Sequence, residues 1–490
     1  MKRSALIVLA LLASLAVSAK ITVKQPCSDG MVLQQKAECA VWGHANPGAT
    51  VSVKTSWDGR SYSVKTDSKG IWKASVKTPA ASYKKYSIKV SGDGSSLTIN
   101  DVLVGEVWLA SGQSNMEMPI NGFDNCPVEG AADVISGPSL KDKVRMITIK
   151  IYQPLEPIDD VHETDGWLDA VSENVGGMSA TAFFFARKIQ EALDVPVGIV
   201  TFPRGGAAVE SWLPKETLAA WGDDVSVEAV NAQNEWSRSY VNYNGMQHPI
   251  QGYTAKGFIW YQGCTNVGRA EQFEPRMTEL IRQWREVDWG DTARKMPFYM
   301  CEIAPYQYDG GQYGQAAALR QAQHETAKHV ENCEIIVTND LVYSYEKTNI
   351  HPSQKRQVGE RLAYLALNRD YGFSKIACYA PEAVKATNMK ASPSQWYPMA
   401  GSSMVMVEIA NCPHGINRLS EIEGLEVRAA DGVFVPITEA YFDTMHNSLL
   451  INCGKIYNPT EIRYGWGDFK PGNLKSVEGL PFAPFNLKIQ

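Results

Sequence analysis

Between residues 104 and about 375 the chain alternates short apolar runs with longer helix-like ones, and this rhythm constrains the fold most. "VPVGIVTF", "AKGFIWYQG", "PFYMCEIA" and "CEIIVTND" read as strands. "MSATAFFFARKIQEAL", "RMTELIRQWREV" and "AALRQAQHETAKHV" read as helices between them. Strands separated by helices call for parallel βαβ units and a sheet covered on both faces. Such open sheets bind ligands beyond the carboxyl ends of their strands, so chemistry is sought there.

The flanks have another rhythm. Residues 20–103 hold short β-like runs punctuated by Asn-Pro-Gly, Asp-Ser-Lys-Gly and Gly-Asp-Gly, the spacing of a small β-sandwich. Residues 376–490 return to β-like runs such as "SSMVMVEIAN" and "LEVRAADGVFVPI". A chain of 490 residues is too long for one typical core, so division into a sandwich, an α/β domain at 104–375 and a β-rich segment is expected. Residues 1–19 stand apart: Lys2 and Arg3 precede the apolar run Ala5 to Val17, with Val17-Ser18-Ala19 before Lys20. That is the pattern of a secretory signal peptide, too short for a good membrane span, and it implies a periplasmic or secreted protein.

Composition excludes several classes. A net charge of -6 offers nothing to nucleic acid or to an anionic membrane. No CxxC or HExxH spacing occurs, so neither a metal site nor a cofactor is expected. Nine cysteines in an exported chain permit disulfides, with Cys27 and Cys39 as the leading pair. Thirteen Trp and twenty-one Tyr suit sugar stacking, and equally suit large cores. Nothing speaks to oligomeric state.

The polar residues that end the strands form a set. "GEVWLASGQSNMEMP" is a buried strand turning at Ser111-Gly112-Gln113-Ser114-Asn115. Gly, Ser and Asn favour turns for backbone reasons alone, so Ser114 by itself decides nothing. "VPVGIVTF" ends in Pro203-Arg204-Gly205-Gly206, "GFIWYQG" in Cys264-Thr265-Asn266, and "EIIVTND" near Asp340, with His351 just before a good helix. Acyl transfer by serine needs a nucleophile, a general base and donors for the developing oxyanion. Ser, Gly, Asn and His at successive strand ends supply one group for each role.

These strings resemble the sialate O-acetylesterases, a branch of the SGNH hydrolases, serine esterases named for their Ser, Gly, Asn and His blocks. "GEVWLASGQSNMEMP" matches the Ser block, "RGGAAVESW" the Gly block, "GFIWYQGCTN" the Asn block and "NIHPSQKRQVGERLA" the His block. "MVLQQKAECAVWGHANPGATVSV" is similar to the family's opening β-domain and "IRYGWGDFKPGNLKSVEGLPFAPF" to its closing segment. The resemblance implies an SGNH-type parallel sheet covered by helices, with an N-terminal β-sandwich and a C-terminal β-rich segment. It implies Ser114 as nucleophile, His351 as base, and an oxyanion hole from the N–H groups of Ser114 and Gly206 with the Asn266 amide. Gln113, Arg204 and Gln262 become candidates for substrate contact, Arg204 because its guanidinium suits a sugar carboxylate.

The chain departs from the family pattern at two points. Relatives usually carry Asp two residues before the His, and Asn349 stands there. The group that orients the imidazole is then open among Asp340, Glu346, Asn349 and a backbone carbonyl. Relatives often have Glu where Cys264 stands, and a small buried side chain is the expectation for that thiol. The implied function is an exported esterase that removes O-acetyl groups from sialic acid through an acetyl-enzyme. Deacetylation of xylan or another glycan, and a non-catalytic carbohydrate-binding protein with a degenerate esterase domain, are the competing readings.

Overall fold

The computed structural model describes residues 20–308, 314–389, 403–417 and 419–490. The expected signal peptide lies outside the described residues. The alternating region forms seven strands: β1 (Ser95–Gly112), β2 (Leu140–Ile149), β3 (Thr164–Ala170), β4 (Val197–Thr201), β5 (Gly257–Tyr261), β6 (Phe298–Cys301) and β7 (Cys333–Ile336). They lie in the order β3-β2-β4-β1-β5-β6-β7, and all neighbours are parallel except the β3–β2 pair. β1 is central, with β2, β3 and β4 on one side of it and β5, β6 and β7 added in turn on the other. That reversal opens a crevice at the carboxyl ends of β4, β1 and β5.

Period-two side-chain direction sorts β1 between two cores. Val107 and Leu109 join an apolar cluster with Phe258, Trp260 and Trp284, covered by α3 (Ala270–Arg282) through Phe273, Met277 and Leu280, and by α4 (Gln315–His329) through Leu319. Trp108 and Ala110 face the other cluster, with Phe184, Phe185 and Ile189 of α2 (Ala180–Leu193) and Leu362, Ala363 and Ala366 of α5 (Lys355–Asp370). A short α1 (Ser114–Glu117) follows β1 directly.

β1 also joins the two β-rich and α/β parts. Its opening half pairs antiparallel with Ser82–Gly92, while its closing half is parallel to β4 and β5, so the boundary expected at 103–104 falls inside one strand. A separate three-stranded sheet of Thr22–Val23, Glu38–His44 and Ile71–Lys77 completes the N-terminal part. Beyond α5, two four-stranded sheets enclose their own apolar cluster around Val407, Leu449 and Ile462. The α/β region flanked by β-rich parts is as expected.

The cysteine expectation is corrected. Cys27 and Cys39 are both free and buried, and so are the other cysteines except the half-buried Cys126. Each donates to a backbone carbonyl instead, Cys27 Sγ to Ala40 O at 3.9 Å and Cys39 Sγ to Gln34 O at 3.3 Å. Burial pushes both thiols up to about 12, so they behave as small apolar side chains. No helix among the described residues is long and apolar enough to cross a membrane.

Candidate active site

Backbone geometry places Ser114. At Gly112 a Cβ would come within 2.3 Å of Tyr261 O, and φ is +133°, so only glycine lets β1 close against β5 here. Gln113 then locks the turn: its N–H donates to Tyr261 O at 2.9 Å, and its Oε1 accepts from Gly263 N–H at 2.7 Å. Gln113 is buried, and these two bonds make it a clamp between two strand ends. Ser114 follows as the half-buried opening residue of α1, and its Oγ lies 2.7 Å from His351 Nε2.

His351 arrives on a loop from the far side of the sheet. Asn115 fastens that loop, donating Nδ2–H to Ile350 O at 3.0 Å. Lys355, fully buried at the start of α5, donates to Asn115 Oδ1 at 2.8 Å and to Pro352 O at 2.7 Å. Burial drives the Lys355 ammonium down to about 7. Burial, with the Lys355 charge added, lowers His351 to about 4, so its imidazole is neutral over the ordinary pH range. On its other nitrogen, His351 Nδ1 faces Cys126 Sγ at 3.8 Å. Asn349 Oδ1 accepts from the His351 backbone N–H at 2.9 Å and from the Cys126 thiol at 3.2 Å.

Asp340 does not reach the imidazole, which corrects its candidacy. Both its oxygens bind Arg361, at 2.7 and 2.8 Å, and Lys475 adds a contact of 2.7 Å. Burial pushes the Asp340 carboxyl up, but these two cations outweigh it and hold the group below its ordinary value. Glu346 is spent on the N–H groups of Tyr343 and Ser353. Among the described residues no carboxylate or carbonyl oxygen bonds to His351 Nδ1.

The Gly and Asn blocks meet beside Ser114. A methyl group added to Gly205 would lie 3.6 Å from Ser114 Cβ, so this turn borders the hydroxyl. Gly205 N–H is taken by Glu117 Oε2, whereas Gly206 N–H meets no acceptor among the described residues. Gly206 has φ +70°, and its Cα is roofed by Trp236. Thr265 Oγ1 donates to Gly206 O at 2.9 Å, joining this turn to the next block. Asn266 is buried and oriented by three bonds: its Oδ1 accepts from Val209 N–H at 3.1 Å and Gln262 Nε2–H at 2.7 Å, and its Nδ2 donates to Glu210 Oε2 at 3.0 Å. Gln262 is fully buried and also donates to Ala207 O at 3.1 Å, so it holds Asn266 in place. Cys264 is buried, and burial raises its thiol, as expected of a small apolar filler.

Arg204 is half-buried, with its guanidinium 4.4 Å from the centroid of the exposed Trp236 ring. Its Nε is buried without a partner among the described residues. Burial lowers the Arg204 pKa against the opposing charges of Glu117 and Glu235.

Several residues of this site escaped the sequence reading: Glu117, Cys126, Glu210 and Lys355. Glu210 lies inside the quoted Gly block and Lys355 inside the His block, so the motif strings carried them without indicating a role. Nothing local marks Cys126. No group of His, Cys, Asp and Glu among the described residues is arranged to hold a metal.

The fold is shared with a known esterase. The chain is similar to the crystal structure of a carbohydrate acetylesterase from Xanthomonas citri, with TM-score 0.81 and 29% identity over 95% of this chain and 99% of that one. It is 29% identical over 404 residues to a sialate O-acetylesterase from Mus musculus, covering 72% of this chain and 74% of the relative. Against one from Homo sapiens it is 27% identical over 387 residues, covering 72% of each. Residues 104–368, more than half the chain, match the family described as carbohydrate esterase, sialic acid-specific acetylesterase. The chain belongs to that family.

Proposed function

We propose that this protein is an exported O-acetylesterase in which Ser114 attacks the acetyl ester of a sugar and His351 serves as base. The 2.7 Å contact between Ser114 Oγ and His351 Nε2 carries this reading. His351 is neutral above about pH 4, so Nε2 can accept the hydroxyl proton as Oγ bonds to the acetyl carbon. The oxyanion falls to the N–H groups of Ser114 and Gly206 and to the second N–H of the Asn266 amide, whose first is given to Glu210. The imidazolium gives that proton to the sugar oxygen as its bond to the acetyl carbon breaks, and the sugar leaves as an alcohol. Water, deprotonated by the same nitrogen, then attacks the acetyl carbon, and the proton passes to Ser114 Oγ as acetate leaves. The basic and apolar opening segment, Lys2 to Val17, supports export.

Sialic acid is the leading substrate, because Arg204 flanks the Gly205-Gly206 turn and presents a cation to a carboxylate. A neutral acetylated glycan is the second reading, favoured by Glu117 and Glu235, which already face that cation. Acetate release from 9-O-acetyl sialic acid and from acetylated xylan, with an aryl acetate as control, decides between them. Faster turnover of xylan would overturn the leading substrate, and no turnover of any ester would overturn the enzyme.

A further inference from the structure

For Nε2 to accept from Ser114, the imidazole must carry its proton on Nδ1, and a partly buried N–H needs an acceptor. The group at that position is sulfur. We propose that Cys126 is the positioning residue of the base: its thiol sulfur accepts Nδ1–H of His351 and passes its own S–H to Asn349 Oδ1, occupying the place where a carboxylate would stand. This rests on the reading of Ser114 and His351 as nucleophile and base.

Two independent features support it. The contacts close a ring, because Asn349 Oδ1 receives both the Cys126 thiol at 3.2 Å and the backbone N–H of His351 at 2.9 Å. The thiol is also presented rigidly. Cys126 and Phe123 exchange backbone bonds of 2.9 and 3.0 Å across a tight turn, with Asn125 at φ +59°. The Phe123 ring from the same turn meets the imidazole edge to face at 5.1 Å and 70°. One small hairpin thus contributes both a wall for the ring and an acceptor for its proton.

A thiol differs from a carboxylate in lacking charge, so it can fix the tautomer without favouring the imidazolium. Burial keeps Cys126 protonated at neutral pH, which leaves its S–H for Asn349. The groups that bear on His351 are Ser114 from α1, Cys126 from the hairpin and Lys355 from α5. Glu346 and Asp124 act one step away, on the thiol. The acid limb of activity is therefore set low by burial and by Lys355, with no adjacent anion among the described residues to raise it.

The test is a double-mutant cycle read by kcat, KM and pH profile on an aryl acetate, with Cys126→Ala, Asn349→Asp and the pair together. Cys126→Ala should lower kcat about fivefold, the worth of one modest hydrogen bond, and leave KM unchanged. Asn349→Asp introduces the missing carboxylate, so the acid limb should move up from about 4. In that background Cys126→Ala should cost less than twofold, because the carboxylate then takes Nδ1–H. An equal or larger cost in the Asn349→Asp background would make Cys126 a packing residue and overturn the proposal. No cost in the wild-type background would overturn it as well. Loss of the underlying reading is visible separately, as undiminished activity of Ser114→Ala.

Discussion

Around Ser114 nearly every polar group is anchored to a strand end. Gln113 bonds β5 through Tyr261 O and the following turn through Gly263 N–H, Thr265 holds Gly206 O, and Asn266 is fixed by Val209, Gln262 and Glu210. His351 is held differently. Its loop hangs from α1 through Asn115 and from α5 through Lys355, and its ring touches a thiol at 3.8 Å. The half of the site built on the sheet is preorganised by backbone register, where each position is determined several times over. The half built on the loop depends on a few buried side-chain bonds, each of which also sets the electrostatics of the imidazole. Substitution in the first half should therefore act on geometry alone, and in the second half on geometry and pH response together.

Removing the hydroxyl gives the sharpest break. Ser114→Ala should reduce aryl-acetate hydrolysis by a factor on the order of 10⁴ or more, as loss of a serine nucleophile does. Thermal unfolding should be unchanged, because among the described residues the only side-chain bond Ser114 makes is to His351. Lys355→Met is the corresponding break on the loop side, with a smaller effect on rate and a larger one on the fold. Methionine fills the volume but leaves Asn115 Oδ1 and Pro352 O without their donor, at a cost of about 1–3 kcal/mol. The Lys355 pKa is about 7 folded against an ordinary 10.5. Between those values the unfolded chain binds the extra proton, so this group makes stability rise with pH across that window and fall as pH drops toward 7. The substitution should erase that slope in denaturant titrations at pH 7 and pH 9. It should also move the acid limb of activity upward from about 4, since one cause of the low His351 pKa is removed. A variant with an unchanged slope and an unchanged limb would refute the account of the loop half.

The same contrast explains what the sequence could reveal. Strand ends are marked locally, by apolar runs that stop at Gly, Ser or Asn, so Ser114, Gly206 and Asn266 could be picked out before any contact was known. Their mutual approach follows once the strands are parallel neighbours, as β4, β1 and β5 are. The partners of His351 carry no such mark. Cys126 is 225 residues away in a hairpin without helical or strand periodicity, and it meets the imidazole only after α1 and the His loop are docked. Asp340 had the right chemistry and a plausible spacing, but two cations capture it, one from the distant segment that carries Lys475. The burial of Gln113 and Gln262 carried no local mark either, because burial cannot be seen in a polar side chain at a strand end. The break at 103–104 was placed where the rhythm changes, and a single strand carries the chain through it.

The effect confined to one substrate lies where the two halves meet the sugar. Arg204 belongs to the Gly turn, yet its guanidinium is held by Trp236 and not by a strand, with Nε lacking a partner among the described residues. A cation 4.4 Å above an indole at an exposed site gains roughly 0.5–1 kcal/mol, too little to hold the side chain against a better ligand. A sugar carboxylate would be that ligand, accepting from the free Nε–H and a terminal N–H together. Arg204→Ala should then lower kcat/KM on acetylated sialic acid about tenfold, the worth of one charge-assisted bond, and leave a neutral aryl acetate within about twofold. Trp236 also roofs Gly206, so loss of its guanidinium partner could disturb the oxyanion turn. Equal losses on the two esters would assign Arg204 to that turn, joining it to the preorganised half. No loss on either would leave it as an arginine stacked on a surface tryptophan, and the sialic acid reading would then lose its cation.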